Sequence, residues 1–585
     1  MAIETWTGVF GGDWSDPTGW SDGTVPAAGD TVQLSQALSG PYTVHLDTNE
    51  GSYAALTISA ANATLAFYSG GLTLSVSGAT TLSAGDVAIA GDAALDTGTF
   101  AESGGFLGMS DGTLAVSGQA TLSGGALAVY GGTLQAGSLA FSGGSFGISG
   151  GGVTVTNQVS QTVGTTGFYG GTFNAGSLAV SGGSLGMSGG TLAVSGALTL
   201  SGTGSIGLYN TAATLQAGSF AQTGGSLGMS GGTLSIAGQA TFTGGTDIFY
   251  GGSSVNAGSL QVGSSGATQT LAVNGAVVTV SGSASIAAGS TLSMYGGSFS
   301  AQGGITVSGT ISGAGTLGGP ISGNGVIEAS GGMLEISNTI ASGSTLVIDS
   351  SAVLKIDGVA TTGASTAFGG YRMVDTKQTL EIGSQGALTI TALERNTAGT
   401  LKLDGGTITD QYGIQNAKNV TITGFGTINA DLLSFGLNGA AMHAIGGVLT
   451  INGNVSSSVH SDIASNSALS LQSTVDPGTT VQFLGSDSGT LQLGNSTARS
   501  SFEANGKLVN MHVNTAGAVA TNVLDLADLQ PSSITSATIA NGNTIELFNG
   551  ATMIDHFALA SSPGPAVVHW ASDGGAGVNI FLSTT

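Results

Sequence analysis

Between about residue 105 and residue 260 the chain repeats itself. GFLGMSDGTLAVSGQATLSGG from Gly105 returns little changed as GSLGMSGGTLSIAGQATFTGG from Gly225. Two ladders give the period. Tyr130, Tyr169, Tyr209 and Tyr250 are 39, 40 and 41 residues apart, and Gly137, Gly176, Gly218 and Gly258 are 39, 42 and 40 apart. The unit then halves. A GGT-like element has its second position at Gly112, Gly132, Gly151, Gly171, Gly190, Ala213, Gly232 and Gly252, in steps of 20, 19, 20, 19, 23, 19 and 20. A chain that repeats at this interval stacks its units on one another, because no single unit can bury its own apolar face.

Each step holds three short apolar alternations, such as Thr113 to Val116, Ala120 to Leu122 and Leu127 to Tyr130. Period-two alternation means half-buried strands. The Gly-Gly and Ser-Gly pairs between them supply corners with positive φ. The expected fold is all-β: a parallel β-helix, or β-solenoid, with three short strands per coil of about 20 residues and capping segments at its ends. With coils stacked at about 4.8 Å, roughly 25 of them would make a rod on the order of 120 Å long. Leu114, Leu134, Val153, Phe173, Leu192, Leu215 and Leu234 should form one internal column, with Thr113, Thr133, Thr172, Thr191, Thr214 and Thr233 beside it and facing out.

Stacking explains the composition. Only 7% of residues are charged, against roughly 25% in ordinary soluble domains. A repeated outward charge would sit directly over its own copy, which is destabilising. Hydrophobic residues stay at 41%, too many for a disordered chain. The net charge is -24, and no Lys or Arg precedes Lys355. Phosphate backbones and anionic lipid both require clustered cations, so nucleic-acid binding is excluded. No apolar run is long enough for membrane insertion. There is no cysteine, which allows an oxidising exterior without disulfides.

Composition divides the chain into a Trp-rich cap or assembly segment (1–65), regular glycine-rich coils (66–265), a less regular continuation (266–530) and a C-terminal β cap (531–585). Insertions are expected near Phe368 to Lys377 and Asn452 to Ser467, and a separate β-sandwich over 330–585 is the competing reading. Trp6, Trp14 and Trp20 are three of the four tryptophans. They would either cover the open edge of the first coil or meet another subunit, and Trp570 has the same choice at the other end.

The segment TWTGVFGGDWSDPTGWSDGTVPAAGDTVQL from Thr5, with YTVHLD from Tyr42, resembles the start of large bacterial β-strand-repeat exoproteins. These are similar to the passenger regions of autotransporter adhesins. ISGAGTLGGPISGNGVIEASGGMLEIS from Ile311 and ITGFGTINADL from Ile422 resemble the same group. The resemblance implies a right-handed coil and an adhesive or structural role outside the cell. No membrane-barrel pattern follows, which departs from the autotransporter plan. The segment TIELFNGATMIDHFALASSPGPAVVHWASDGGAGVNIFLSTT is similar instead to the uncleaved C-terminal ends of type I-secreted proteins. That fits an N-terminus without the basic and apolar regions of a cleaved signal peptide.

Catalysis leaves no comparable trace. The six histidines have no HxxxH neighbour, and GxSxG or GxGxxG matches carry no weight in so glycine-rich a chain. Glycoside hydrolysis needs paired carboxylates, yet between Gly112 and Ile327 only Asp247 is acidic. Candidates remain in the irregular half, such as Asp404 with Asp410, for which a solvated turn is the plainer account. Asp13, Asp16 and Asp22 lie on glycine-rich turns where they would supply oxygen ligands to calcium; local turn capping is the plainer account. No other cofactor is expected, and the Thr pattern is wrong for a TxT ice-binding array. The expectation is a non-enzymatic exoprotein, at the cell surface or released, that self-associates end to end, through its solenoid ends, or laterally into filaments, biofilm matrix or a surface coat. Surface glycans are further candidate partners, and a carbohydrate-binding or polysaccharide-cleaving β-helix is the alternative.

Overall fold

The alternation at Thr113–Leu122 builds one strand that runs along two faces, with a bulge between Val116 and Gln119 turning the corner, and Ala126–Val129 makes the third face. Leu114, Val116, Ala120, Leu122, Leu127 and Val129 all point inward and are buried. The computed structural model describes residues 2–68, 70–362, 371–393, 396–434, 441–456, 459–485, 488–517, 519 and 521–585. Strands take 62% of the chain and helices 3%, arranged as a β-solenoid of about 22 turns with stacked parallel strands. Two compact units divide at Gly303 and Gly304, inside the stretch that composition marks as irregular.

In the first unit, twelve residues on one face pair in unbroken parallel register: Leu74, Leu95, Leu114, Leu134, Val153, Phe173, Leu192, Leu215, Leu234, Val255, Val278 and Phe299. All twelve are buried. The neighbouring threonines pair with one another in the same register and reach the surface. The corner glycines stack as well. Gly171 has φ +74, and a Cβ built on it would lie 2.7 Å from Gly151 O, the corner of the coil beneath. Positive φ and the close approach of the next coil both demand glycine there. Ala213 replaces it at the 23-residue step. There a turn closes over Asn210, with Ala213 N–H donating to Asn210 O at 3.0 Å and Ala212 N–H to Asn210 Oδ1 at 3.2 Å. The additional residues make the corner without a left-handed glycine.

The second unit continues as parallel coils and not as a β-sandwich. Leu334, Leu354, Leu380, Leu401, Ile422 and Met442 form an interior column, and Gly489–Leu493 pairs in parallel with Asn522–Leu526. Charge returns here in a particular order. Glu335, Lys355, Glu381 and Lys402 are successive members of one outward column. Lys355 Nζ lies 3.0 Å from Glu335 Oε1, and Lys402 Nζ 3.0 Å from Glu381 Oε2. Alternating sign converts the like-charge penalty into attraction. Residues 363–370 and 457–458, within or beside the two expected insertions, lie outside the described residues. A ten-residue helix, Ser496–Asn505, is inserted between coils and buries Ala498 and Phe502.

Candidate functional site

The tryptophan segment is the interior of the first coil. Ile3–Thr5 pairs in parallel with Thr31–Leu34, and Gly12–Asp13 with Tyr42–His45. Trp6, Trp14 and Trp20 are buried and stacked edge to face, with ring centroids 5.0 Å apart for Trp6 and Trp20 and 4.9 Å for Trp14 and Trp20. Each indole N–H is satisfied: Trp6 by Gly8 O at 3.0 Å, Trp14 by Tyr53 Oη at 3.2 Å and Trp20 by Trp14 O at 2.8 Å. Such a cluster plugs the end of the solenoid. The three rings lie inside the coil and leave almost no surface exposed.

The free edge of Ile3–Thr5 is not bare either. Thr5 N–H donates to Ser21 Oγ at 3.1 Å, Thr7 N–H to Gly19 O at 2.7 Å, and Trp6 bridges Trp20 in antiparallel fashion. The segment carrying Asp16 and Asp22 therefore folds across the edge where a further strand would add. Those acids serve the fold-back. Asp16 Oδ1 accepts Thr18 N–H at 2.9 Å and Thr18 Oγ1 at 2.7 Å, and Asp22 Oδ1 accepts the same two groups of Thr24 at 2.8 and 2.7 Å. These bonds hold both carboxyls below their ordinary pKa. Asp13 is exposed in the strand opposite His45. The three proposed calcium ligands thus sit in separate local environments, and among the described residues no group of three acids or histidines is placed to hold a metal ion.

The other end closes by reversing strand direction. Leu526 lies opposite Val578, and Asn522–Leu526 pairs antiparallel with Val578–Ser583. Val567–Ser572, which carries half-buried Trp570, adds antiparallel to that strand. Arg499 of the inserted helix ties this end together: its Nη1 meets Asp555 at 2.5 and 2.6 Å, while Nε and Nη2 meet Asp528 at 2.9 and 3.0 Å. Neither end presents a bare row of strand edges among the described residues. One is covered by a fold-back, and the other ends in strands of opposite sense.

The sides are regular where the ends are closed. Where the first face bends into the second, two adjoining stretches of groove, of about 550 and 690 Å³, follow the coils from Ser52 to Ala237. One outward column along it reads Asp96, Ala115, Gln135, Thr154, Asn174, Ala193, Gln216, Ser235 and Asn256 in register. A long hydrogen-bonding side chain recurs on every second coil and a short one lies between.

Three acids of this unit are buried: Glu4, which accepts from Ser21 Oγ at 3.0 Å in the first coil, and two further along. Glu102 takes the place of a leucine between Leu82 and Leu122, is fully buried, and neither carboxyl oxygen has a hydrogen-bond partner among the described residues. Burial pushes its pKa up to about 8. Asp247 is buried against Gln269 Nε2 at 2.7 Å, and burial pushes it up to about 7. In the second unit Asp410 is buried and caps its own turn through Tyr412 N–H at 2.8 Å, whereas Asp404 is on the surface, and no hydrogen bond joins them among the described residues. Sequence reading missed a cluster: Asp462 lies between His443 Nδ1 at 2.9 Å and His460 Nε2 at 3.1 Å. The signal was the one-coil interval from His443 to Asp462, hidden because the coils are uneven there. Among the described residues no helix is long and apolar enough to cross a membrane. No family model, curated protein or solved structure matches this chain.

Proposed function

We propose that this chain is a structural and adhesive protein of the bacterial exterior, a solenoid that makes its contacts through its sides. The observation that carries the reading is the groove column, in which the same kind of polar side chain returns on every second coil from Asp96 to Asn256. A periodic surface, neutral beyond Asp96, is suited to a periodic partner and not to a single small substrate, which needs a few convergent polar groups in one pocket. The closed ends direct assembly into a matrix or coat toward lateral contact. The resemblance to β-strand-repeat exoproteins supports the same location. Immunogold labelling of intact cells, with negative-stain microscopy of the purified chain, tests it. Surface label and side-by-side association are expected; label confined to the cell interior refutes the reading. Incubation with uronate polymers separates it from the polysaccharide-cleaving alternative, which requires release of soluble products.

A further inference from the structure

From Tyr130 onward, each third-face strand of the first unit ends at a corner whose outward residue alternates. Tyr130, Tyr169 and Tyr209 donate their backbone N–H groups to Met109, Ile148 and Met187 at 2.8, 2.8 and 2.9 Å; between them Ser149 and Ser188 donate to Val129 and Phe168 at 3.0 and 2.8 Å. The file continues through Ser230, Tyr250, Asn274 and Tyr295. Five tyrosines are therefore in phase, one on every second coil, about 9.6 Å apart. Tyr68 lies three coils before Tyr130 and falls out of phase. The in-phase rings are 45–70% exposed. Serine closes the same corner with the same backbone bond, so the fold does not require tyrosine there.

The tyrosines border a strip of bare backbone. Gly147, Gly167, Gly186, Gly207 and Gly228 occupy one outward column. A Cβ on Gly167 would lie 3.2 Å from the Tyr169 ring, one on Gly186 3.3 Å from that of Tyr209, and one on Gly207 would collide with Tyr209. The rings lean over the glycines. Across the strip, Ser145, Thr165, Ser184, Ser205 and Ser226 form a parallel column of hydroxyl residues. Between Phe106 and Tyr209 they make a trough of about 620 Å³ with glycines in its floor, three of the aromatic platforms on one side and hydroxyls on the other.

We propose that this trough binds an extended, neutral, β-linked polysaccharide lying along the stacking direction. The C–H face of a pyranose packs on an aromatic ring, while its hydroxyls exchange hydrogen bonds with serine and threonine; an aromatic body beside a polar wall serves both. The interval between platforms is about two sugar units of an extended chain, so every second sugar meets a ring. The charge of the surface selects neutrality. No Lys or Arg occurs before Lys355 to pair with an anionic polymer, and the chain's net charge of -24 repels one. The proposal gives the adhesive reading above its ligand class and rests on that reading for its biological setting.

The test is depletion of the purified full chain by microcrystalline cellulose, chitin and insoluble β-1,3-glucan, with alginate beads as the anionic comparison. Binding to at least one neutral polymer and not to alginate is expected. The quadruple variant Tyr130→Ala, Tyr169→Ala, Tyr209→Ala, Tyr250→Ala should bind on the order of 100-fold more weakly, since loss of several linked contacts removes avidity. The corresponding quadruple Phe variant should bind within about threefold of the parent, because it keeps the aromatic platforms. Far-ultraviolet circular dichroism checks that both variants keep the strand content. Failure to bind all three neutral polymers, equal binding of alginate, or undiminished binding by the Ala variant overturns the proposal. Self-association in sedimentation velocity that the Ala variant abolishes, without any glycan binding, assigns the trough to a second copy and overturns it too. Each of these results leaves the surface-labelling test of the exoprotein reading unaffected.

Discussion

Glu102 gives the sharpest prediction about what holds the coils together. Its carboxyl sits between two apolar neighbours, Leu82 and Leu122, tucked under the corner at Gly125, where a Cβ would come within 2.5 Å of Oε1. In the unfolded chain it titrates near 4.5, and in the folded chain burial raises that to about 8. The folded state holds the proton more tightly. The contribution of this site is therefore fully present below about pH 4.5, is lost as pH rises, and is gone above about pH 8. At about 1.4 kcal/mol per pH unit, the loss amounts to about 5 kcal/mol. A stacked array does not unfold as one unit, so the assay must be local: hydrogen exchange of the amides in Ala94–Glu102 and Thr113–Leu122 between pH 5 and 9, corrected for intrinsic rates. Protection free energy should fall across that range in the wild type and stay level in Glu102→Leu, which restores the column. At pH 9 the variant should be the more protected by several kcal/mol. A flat wild-type profile, or an equal slope in the variant, would refute the reasoning.

Other consequences follow from the same geometry. Gly171→Ala should destabilise its corner by at least about 1 kcal/mol, from positive φ together with a close backbone contact; local exchange around Gly151 and Gly171 reads it. Lys402→Glu would place two acids in succession above Lys355 in the alternating column, and should cost on the order of 0.5–1 kcal/mol at low salt and less at high salt, since the site is partly exposed. Arg499→Leu leaves Asp555 buried without its cation and should loosen the C-terminal cap by roughly 3 kcal/mol at neutral pH, with partial recovery in acid; limited proteolysis after the helix is the measurement. Trp570→Phe leaves only the three plug tryptophans, so the remaining fluorescence should be blue-shifted and report the melting of the N-terminal coils alone.

The interior of the first unit was legible because one physical demand repeats without interruption: an apolar residue at one point of every coil. Leu114 and Leu134 are twenty residues apart, and the structure sets them opposite each other. The N-terminal end was less legible. A tryptophan plug and a tryptophan interface share one composition, and the fold-back of Gly19 and Ser21 onto Thr7 and Thr5 has no period by which to read it. The alternating charges escaped notice for a related reason. Glu335, Lys355, Glu381 and Lys402 are consecutive in space, but the interval from Lys355 to Glu381 is longer in sequence than those on either side and conceals the column. Arg499 was opaque altogether, because its partners are 29 and 56 residues away in a region that has left the coil pattern.

Because a tyrosine, and across the coil an amide, returns only on alternate turns, the first unit has odd and even coils that share an interior but differ outside. Gain or loss of a single turn would leave the apolar columns intact while putting every external group beyond that point out of step. Gain or loss of two turns restores both. The length of such a protein is then free to drift only in increments of forty residues for as long as its outer face is under selection, although its stability would accept increments of twenty.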